Sequence, residues 1–199
     1  MRDNNKTYDF ILQQSFKLFL EKGYKDVTVV DIEKAIGMTR GAVFYYVKDK
    51  QALFNAVIER FIFDKQNINN KIKCDVNDSL EQFIRKYLEG IKSTMDVLRQ
   101  TEVKNILRAY LNLSFNALTY YERYVDKVSF ILSLEQTTWT SFIDNAKAKG
   151  EIKSSLSTNV IAETFQSIFY GVSFVSAFKD KDFDVRELEN LLRNYYSLL

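Results

Sequence analysis

The sequence contains no histidine and no proline, only one cysteine, and only six glycines in 199 residues. Without histidine, the chain lacks the side chain that most serine, cysteine and zinc enzymes use as a base or metal ligand. We therefore expect neither an enzyme nor a metal site, and no cofactor. Because Cys74 has no second cysteine with which to form an internal disulfide, we expect an inert thiol in a reducing cytoplasm.

The scarcity of turn-forming residues favours an all-α fold. β-turns depend on proline and glycine, whereas Leu, Lys, Glu, Ala and Gln, which favour helices, are plentiful. With 46% apolar and 15% aromatic residues, the chain can bury a sizeable core. The most apolar long stretch, 160–178, contains Glu163 and Gln166, so we expect it to pack on other helices and not to span a membrane.

The charge balance says little about function. The chain has 28 Lys plus Arg and 26 Asp plus Glu, and the whole formal excess of +2 lies within residues 1–50. A net charge of this size is ordinary for a soluble domain. Charge alone therefore does not identify a protein that binds nucleic acid.

Helix-capping residues between positions 28 and 47 predict two short helices. Thr28 with Asp31 three residues later predicts a capping box at a helix start. Gly37 predicts a left-handed turn that ends this helix, and Thr39 predicts the cap of a second helix over 40–47. Two short helices joined by a turn that contains glycine are typical of a helix-turn-helix.

The residues of the second helix are unusual for a core element. Arg40 is a side chain that forks onto guanine in a major groove, and Gly41 and Ala42 are small enough to let the backbone approach base edges. Tyr45 and Tyr46 can donate hydrogen bonds to phosphates. A short exposed helix with a solvated arginine and sideways-packed tyrosines explains the same residues, so both interpretations stay open on residue types alone.

A longer ordered pattern surrounds this pair of helices. An apolar helix that includes Ile11, Leu12 and Phe19 is followed by a Gly23-Tyr24 corner and the two short helices. The segment 48–54, Lys-Asp-Lys-Gln-Ala-Leu-Phe, then leads into a fourth helix. This pattern resembles the DNA-binding signature of the TetR family of bacterial transcriptional regulators. The resemblance implies an all-α fold with an N-terminal three-helix DNA-binding domain at 1–48. It also implies a C-terminal helical bundle at 49–199 for ligand binding and dimerisation.

The resemblance also implies particular DNA contacts. Those expected to reach base edges or the groove floor are Thr39, Arg40, Gly41, Ala42, Phe44 and Tyr45. Those expected to contact phosphates are Thr28, Tyr45, Tyr46 and Lys50. Three positions depart from the family pattern: Phe44 stands where Tyr is common, Tyr46 replaces a frequent His, and Glu33 replaces a small Ala. The glutamate leaves open how closely the two helices pack.

The helices after residue 49 carry many aromatic residues. Asp49 caps a helix with a long apolar stripe, which we expect to connect the DNA-binding helices with the rest, and Asp78 with Glu81 predicts a later helix start. An aromatic bundle can hold a flat or apolar ligand, although most rings of this kind belong to the core. The candidates for ligand contact are Tyr87, Tyr110, Phe115, Tyr121, Trp139 and Phe142. The resemblance implies a small effector, which we expect to be apolar or aromatic.

The last two predicted helices offer more apolar surface than one chain needs. The resemblance implies that they pack against a second copy and form a homodimer. The candidate interface residues are Phe165, Ile168, Phe169, Val172, Leu188, Leu192 and Tyr195. Gly171 within a helix costs about 1 kcal/mol relative to Ala, which predicts a close helix approach there. Asp180, Asp182 and Asp184 lack the glycine and glutamate of a calcium loop, so we expect a charged turn.

These observations predict a homodimeric, ligand-responsive regulator that binds a double-stranded DNA operator. We expect a repressor that its effector releases from DNA. The alternative is a helical module that binds small molecules or proteins, in which the helix-turn-helix is purely structural. An enzyme that uses carboxylates alone has no residue spacing in its favour.

Overall fold

The computed structural model describes residues 2–75, 77–179 and 183–199. Over these ranges every regular element is helical, which confirms the all-α prediction. In chain order the helices are α1 (Arg2–Asp26), α2 (Val29–Ile36), α3 (Arg40–Tyr46), α4 (Lys50–Ile58), a π-helical segment (Glu59–Phe63), α5 (Asp64–Gln66), α6 (Ile68–Lys71), α7 (Leu80–Arg99), α8 (Ile106–Tyr120), α9 (Tyr124–Ala148), α10 (Thr158–Phe178) and α11 (Val185–Tyr196).

Helix α1 organises the N-terminal part of the chain, because it packs against α2, α4 and α8. Its buried stripe includes Phe16 and Phe19, and the Phe19 ring meets the edge of Phe54 in α4 with centroids 5.1 Å apart. At Gly23 the helix kinks with φ 76°, a left-handed conformation that favours glycine, and one further turn reaches Asp26. The predicted Gly-Tyr corner is therefore a kink within α1.

Helices α4 and α5 are joined by the π-helical segment Glu59–Phe63 into a nearly continuous rod from Lys50 to Gln66. A π-helical turn shifts the backbone hydrogen-bond pattern, and such turns occur often at functional sites. Here the Phe61 carbonyl accepts a hydrogen bond from the Tyr110 hydroxyl at 3.2 Å. The division of the chain at residues 48 and 49 stays a prediction.

The start of α7 differs by one residue from the prediction. Ser79 caps the helix and forms a reciprocal capping box with Gln82, whereas Asp78 and Glu81 were expected in those roles. Asp78 instead accepts hydrogen bonds from the Lys86 ammonium at 2.5 Å and from the backbone N–H of Asp75. Both registers place a cap three residues before a polar side chain, so the spacing rule does not separate them.

Helices α7, α9, α10 and α11 enclose an aromatic core centred on Trp139. The Trp139 ring is fully buried, stacks on Phe165 with centroids 4.7 Å apart, and meets Phe83 and Tyr87 edge-on. Edge-on and stacked ring pairs of this kind contribute about 0.5–1.5 kcal/mol each beyond the area that they bury. These contacts hold the C-terminal bundle together.

Helix α10 is long and apolar enough to cross a membrane, judged by length and composition alone. A helix that packs in the core of a soluble protein can have the same length and composition. In this chain α10 packs against α8, α9 and α11 and buries Ile161, Ala162 and Phe165. Part of the apolar surface of α10 is therefore buried against neighbouring helices of the same chain.

Candidate nucleic-acid interface and ligand cavity

The predicted turn between α2 and α3 is present, with its caps in place. The Thr28 hydroxyl accepts a hydrogen bond from the Asp31 N–H at 3.2 Å, and the Thr28 N–H donates to the Asp31 carboxylate at 2.9 Å. Gly37 ends α2 with φ 72°, and its N–H donates to the Glu33 carbonyl at 2.8 Å. The Thr39 hydroxyl caps α3 by accepting from the Ala42 N–H. These contacts confirm the helix-turn-helix.

Glu33 settles the question that the sequence left open. Its Oε1 accepts a hydrogen bond from the backbone N–H of Arg40 at 2.6 Å. Because the first amides of a helix lack partners within it, a carboxylate there satisfies a donor and interacts favourably with the helix dipole. The side chain that left the packing of α2 and α3 open thus links the two helices.

Helix α3 turns one face to the core and the opposite face outward. Val43 is completely buried, whereas the Tyr45 side chain is 77% exposed. Thr39, Arg40 and Gly41 are exposed as well, while Ala42 and Phe44 are half-buried. The Arg40 guanidinium lies 5.9 Å from the centroid of the Phe44 ring. The outward face therefore presents one cation, one phenol and a small residue side by side.

The remaining residues that were predicted to contact phosphates already have partners within the chain. The Tyr46 hydroxyl donates to Asn4 Oδ1 at 3.2 Å. The Lys50 ammonium lies 4.5 Å from the centroid of the Tyr24 ring and donates to a backbone carbonyl, and desolvation lowers its pKa. The Thr28 hydroxyl donates to Asp31 Oδ2 at 2.7 Å. To donate to a phosphate, the Thr28 and Tyr46 hydroxyls would have to exchange their acceptors, whereas the Lys50 ammonium has three donors and could add a contact.

Asp31 is held in its charged form. A hydrogen bond from the Lys22 ammonium at 2.7 Å, followed by the hydrogen bonds from Thr28, places the pKa of the Asp31 carboxyl well below its usual range. The capping box therefore keeps its acceptor charged at every pH at which the protein is expected to work.

A cavity of about 280 Å³ lies in the C-terminal bundle beside the π-helical segment. Its lining is mostly apolar, and ligand cavities in proteins are commonly about 300–1,000 Å³. The rings that line it are Phe63, Tyr110, Tyr124, Phe169, Tyr170 and Phe183. Of the six aromatic residues predicted to contact a ligand, only Tyr110 is among them.

The other five predicted rings lie elsewhere. Tyr87, Trp139 and Phe142 are packed in the aromatic core, where they contact other side chains. The Tyr121 hydroxyl donates to the Glu59 carboxylate near the start of α9, and Phe115 lies on the outer surface with 61% of its side chain exposed. Helical periodicity marks apolar faces, but it does not tell which face borders a cavity and which borders another helix.

Two charged side chains border the cavity. Glu135 is 2% exposed and accepts one hydrogen bond from the Tyr87 hydroxyl and one from the Tyr170 hydroxyl, both at 2.7 Å. Burial, followed by the Glu135 charge, raises the pKa of both phenols, so they remain donors. Lys71 donates to Gln66 Oε1 at 3.4 Å. Sequence reasoning missed both charges, because it ranked candidates by their rings alone.

No group of acidic residues and cysteine suited to a metal ion occurs within the described ranges. Asp184 caps α11 by accepting from the Arg186 N–H at 2.9 Å. Asp180 and Asp182, which with Asp184 were expected to form a charged turn, lie outside the described residues.

The residues predicted for a dimer interface divide into two groups. Phe165, Leu188 and Leu192 are fully buried within their own chain, and Phe169 lines the cavity. Ile168, Val172 and Tyr195 are half-buried. The exposed apolar residues of α10 and α11 are instead Val160, Tyr170, Phe174, Val175, Phe178 and Leu191. A Cβ at Gly171 would meet no atom of its own chain within 4 Å, so the expected close approach is absent within one chain.

Helix α8 connects the cavity with the DNA-binding helices. Its first half contributes Tyr110 and Ser114 to the cavity, and its second half packs on α1. Asn116 Oδ1 accepts a hydrogen bond from the Tyr24 N–H at 2.9 Å, next to the Gly23 kink. The Gln51 amide in α4 donates to the Tyr120 carbonyl at 2.7 Å. Helix α8 therefore borders the cavity and also contacts both α1 and α4.

Gln51 also joins α4 to α1. The Tyr24 hydroxyl donates to Gln51 Oε1 at 2.6 Å, and the rings of Tyr24 and Tyr120 lie with centroids 4.7 Å apart. The end of α8, the kink of α1 and the start of α4 thus meet at one small polar and aromatic junction.

Comparisons with known proteins agree with this arrangement. A sequence model of the bacterial regulatory proteins of the tetR family matches residues 11–57, which include α2, α3 and most of α4. The transcriptional repressor Rv1474c of Mycobacterium tuberculosis (strain ATCC 25618 / H37Rv) is 49% identical over 47 residues, or 24% of this chain and 25% of that protein. The chain thus matches only about a quarter of the length of this relative.

Solved structures extend the likeness to the whole chain. NalD, the secondary repressor of the MexAB-OprM multidrug efflux pump in Pseudomonas aeruginosa, has a TM-score of 0.69 at 19% identity, with 99% of this chain and 97% of that chain covered. The SmeT–triclosan complex has a TM-score of 0.68 at 17% identity, with 97% and 91% covered. At these identities the likeness concerns the fold. The helix-turn-helix region of the chain thus resembles the bacterial regulatory proteins of the tetR family over residues 11–57, and the whole chain shares the fold of these solved structures.

Proposed function

We propose that the protein is a homodimeric, ligand-responsive repressor that binds a double-stranded DNA operator in the cytoplasm. The single observation that carries the proposal is the outward face of α3, where Arg40 and Tyr45 are exposed while Val43 anchors the helix from behind. Such a face fits the major groove, in which an arginine forks onto guanine O6 and N7. Its activity is binding, and no catalytic step is involved.

The exposed face of α10 supports a two-fold partner. Phe174, Val175 and Phe178 are about half exposed or more, and Gly171 beside them leaves room for a neighbouring helix. In a symmetric dimer the two α3 helices enter successive major grooves about 34 to 36 Å apart, so the operator is expected to be nearly palindromic. We therefore place the dimer contact on this exposed face and not on Phe165, Leu188 or Leu192.

The cavity supports an effector with an apolar or aromatic body. SmeT, which shares this fold, was solved in complex with triclosan, and this supports a small-molecule effector here. The effector shifts α8, and the contacts of Asn116 and Gln51 pass this shift to α1 and α4. The distance between the α3 helices of the two subunits then changes. Operator affinity falls by the difference between the effector's affinities for the two arrangements.

The test is to incubate the purified protein with random duplex DNA and with DNA next to its own coding sequence, and then to sequence the retained fragments. We expect one nearly palindromic site and a steep loss of affinity as salt rises, because phosphate contacts release counterions. Retained fragments with no common sequence, together with a shallow salt dependence, would instead support a binding module whose helix-turn-helix is purely structural.

A further inference from the structure

The two charged side chains that border the cavity, Glu135 and Lys71, differ in how many of their hydrogen-bonding groups have partners. Each oxygen of Glu135 accepts a 2.7 Å hydrogen bond from a tyrosine. The Lys71 ammonium has three donors, yet its hydrogen bond to Gln66 Oε1 is long, at 3.4 Å. Its other neighbours include the rings of Tyr87 and Phe169, with centroids 5.8 and 5.5 Å away. Lys71 therefore has donor capacity to offer a ligand in the cavity, whereas Glu135 is already occupied.

The backbone and a hydrogen-bonded amide fix the position of Lys71. A Cβ at Gly90 of α7 would lie 2.6 Å from the Lys71 carbonyl oxygen, so the end of α6 can lie against α7 only where the side chain is a hydrogen. On the other side, the Gln66 amide donates to the Tyr110 hydroxyl at 3.1 Å, which turns its carbonyl toward Lys71. The backbone of Lys71 is thus fixed against α7, and its ammonium lies at the cavity wall next to Gln66.

A second, polar pocket of about 370 Å³ lies on the outer side of Lys71. Lys71 and Thr94 line both this outer pocket and the inner cavity. The outer pocket also carries Arg60 and Lys65 against a single acid, Asp64, so three cations face one anion. A concave surface with an excess of one charge attracts ligands of the opposite charge.

The environment of Lys71 makes an anionic partner favourable. Desolvation lowers the pKa of its ammonium, and the more distant Glu135 charge only partly opposes this. Lys71 is half-buried, and a charge that is partly removed from water is stabilised by a hydrogen-bonded partner of opposite charge. A ligand anion at this point would supply both the pairing and the missing acceptor.

We propose that the effector is an amphipathic anion whose apolar or aromatic body fills the inner cavity and whose single carboxylate accepts hydrogen bonds from Lys71 Nζ. The carboxylate faces the outer pocket, beside Arg60 and Lys65. This inference rests on the proposed function, because it names the chemistry of the effector in the same cavity.

The experiment compares three probes with one alkyl chain and different head groups: decanoate, 1-decanol and decylammonium. Their binding to the full-length protein is measured by calorimetry without DNA. We expect decanoate to bind about tenfold or more tightly than 1-decanol, because only its carboxylate forms a hydrogen bond between two charged groups with the Lys71 ammonium. Decylammonium, which has the same charge as Lys71, should bind more weakly than 1-decanol. Equal binding of decanoate and 1-decanol, tighter binding of decylammonium, or no binding of any probe would each overturn the proposal.

Variants locate the head group. Lys71→Met is expected to abolish the preference for decanoate over 1-decanol, and Lys71→Arg is expected to retain this preference. Lys73→Met removes an exposed lysine outside both pockets and serves as the matched control. A preference that survives in Lys71→Met would overturn the assignment to Lys71.

Operator release is measured separately, on wild-type protein. If decanoate binds through Lys71 but operator affinity does not fall, the ligand class is supported and the proposed release of DNA is contradicted. If the protein binds a specific operator but does not prefer the carboxylate, the proposal about the effector is overturned and the DNA-binding function stands.

Discussion

Replacing Asn116 by alanine should weaken the contact between the cavity and the DNA-binding helices. Asn116 Oδ1 accepts the Tyr24 N–H at 2.9 Å in a partly buried position, and alanine would leave that amide without an acceptor. An unsatisfied donor costs about 1–3 kcal/mol when buried. Because Tyr24 is half-buried and water can reach part of this junction, we expect the lower end, about 1 kcal/mol of unfolding free energy.

The same change should reduce the coupling between effector and operator. We expect Asn116→Ala to bind the effector as the wild type does. The factor by which the effector lowers operator affinity should, however, be about fivefold smaller than in the wild type, which is equivalent to about 1 kcal/mol of coupling free energy. Hydrogen exchange at the Tyr24 amide should accelerate by a similar factor. Asn112→Ala, an exposed position one turn earlier on α8, is the control. An unchanged affinity ratio in Asn116→Ala would refute a signal that passes through this hydrogen bond.

Five further substitutions test the local geometry, with stability measured by urea denaturation. Gly37→Ala should cost about 1–2 kcal/mol, since φ is 72° and a Cβ there would meet no neighbour, so the loss comes from the backbone alone; an unchanged stability would contradict this. Gly41→Ala should stabilise the helical fold by about 0.5–1 kcal/mol yet weaken operator binding, and equal or tighter binding would argue against close approach to DNA. Trp139→Ala should lower the unfolding free energy by about 3–5 kcal/mol and Phe115→Ala by less than about 0.5 kcal/mol, because the first ring is buried and the second is exposed. Similar losses of stability in the two variants would contradict this difference in burial. Because the folded-state pKa of Asp31 is depressed, the Asp31 carboxylate stabilises the fold above about pH 4, and this stabilisation is lost as pH falls toward the folded pKa. Asp31→Asn should therefore remove this part of the pH dependence of the unfolding free energy. An unchanged pH profile would count against the capping box.

The helix-turn-helix could be predicted from the sequence because its determinants are local. A cap at Thr28 or Thr39 and a left-handed glycine at Gly37 depend on backbone groups within three or four residues, so residue type and spacing suffice. Glu33 shows the limit of this reasoning. Its interaction with the Arg40 amide joins two helices across a turn, and the family pattern offered no precedent for it.

The cavity could not be predicted in the same way, because a helix in a bundle has several apolar faces. Trp139 and Tyr110 occupy similar positions in their apolar stripes, yet one fills the core and the other borders the cavity. Two features lie beside the cavity: the π-helical turn, where the Phe61 carbonyl accepts from the Tyr110 hydroxyl, and the close approach of Gly90 to Lys71. Both are tertiary features that periodicity does not encode.

Arg40→Ala, measured on the operator that the protein selects and on single base-pair variants of it, tests the central claim most directly. The account predicts a loss of about 1–3 kcal/mol on the operator and a relaxed preference at one base pair in each half-site. Arg85→Ala, which removes an exposed arginine on α7, should change neither quantity. If Arg40→Ala discriminates among the same base pairs as strongly as the wild type, the claim that α3 reads the DNA sequence is contradicted.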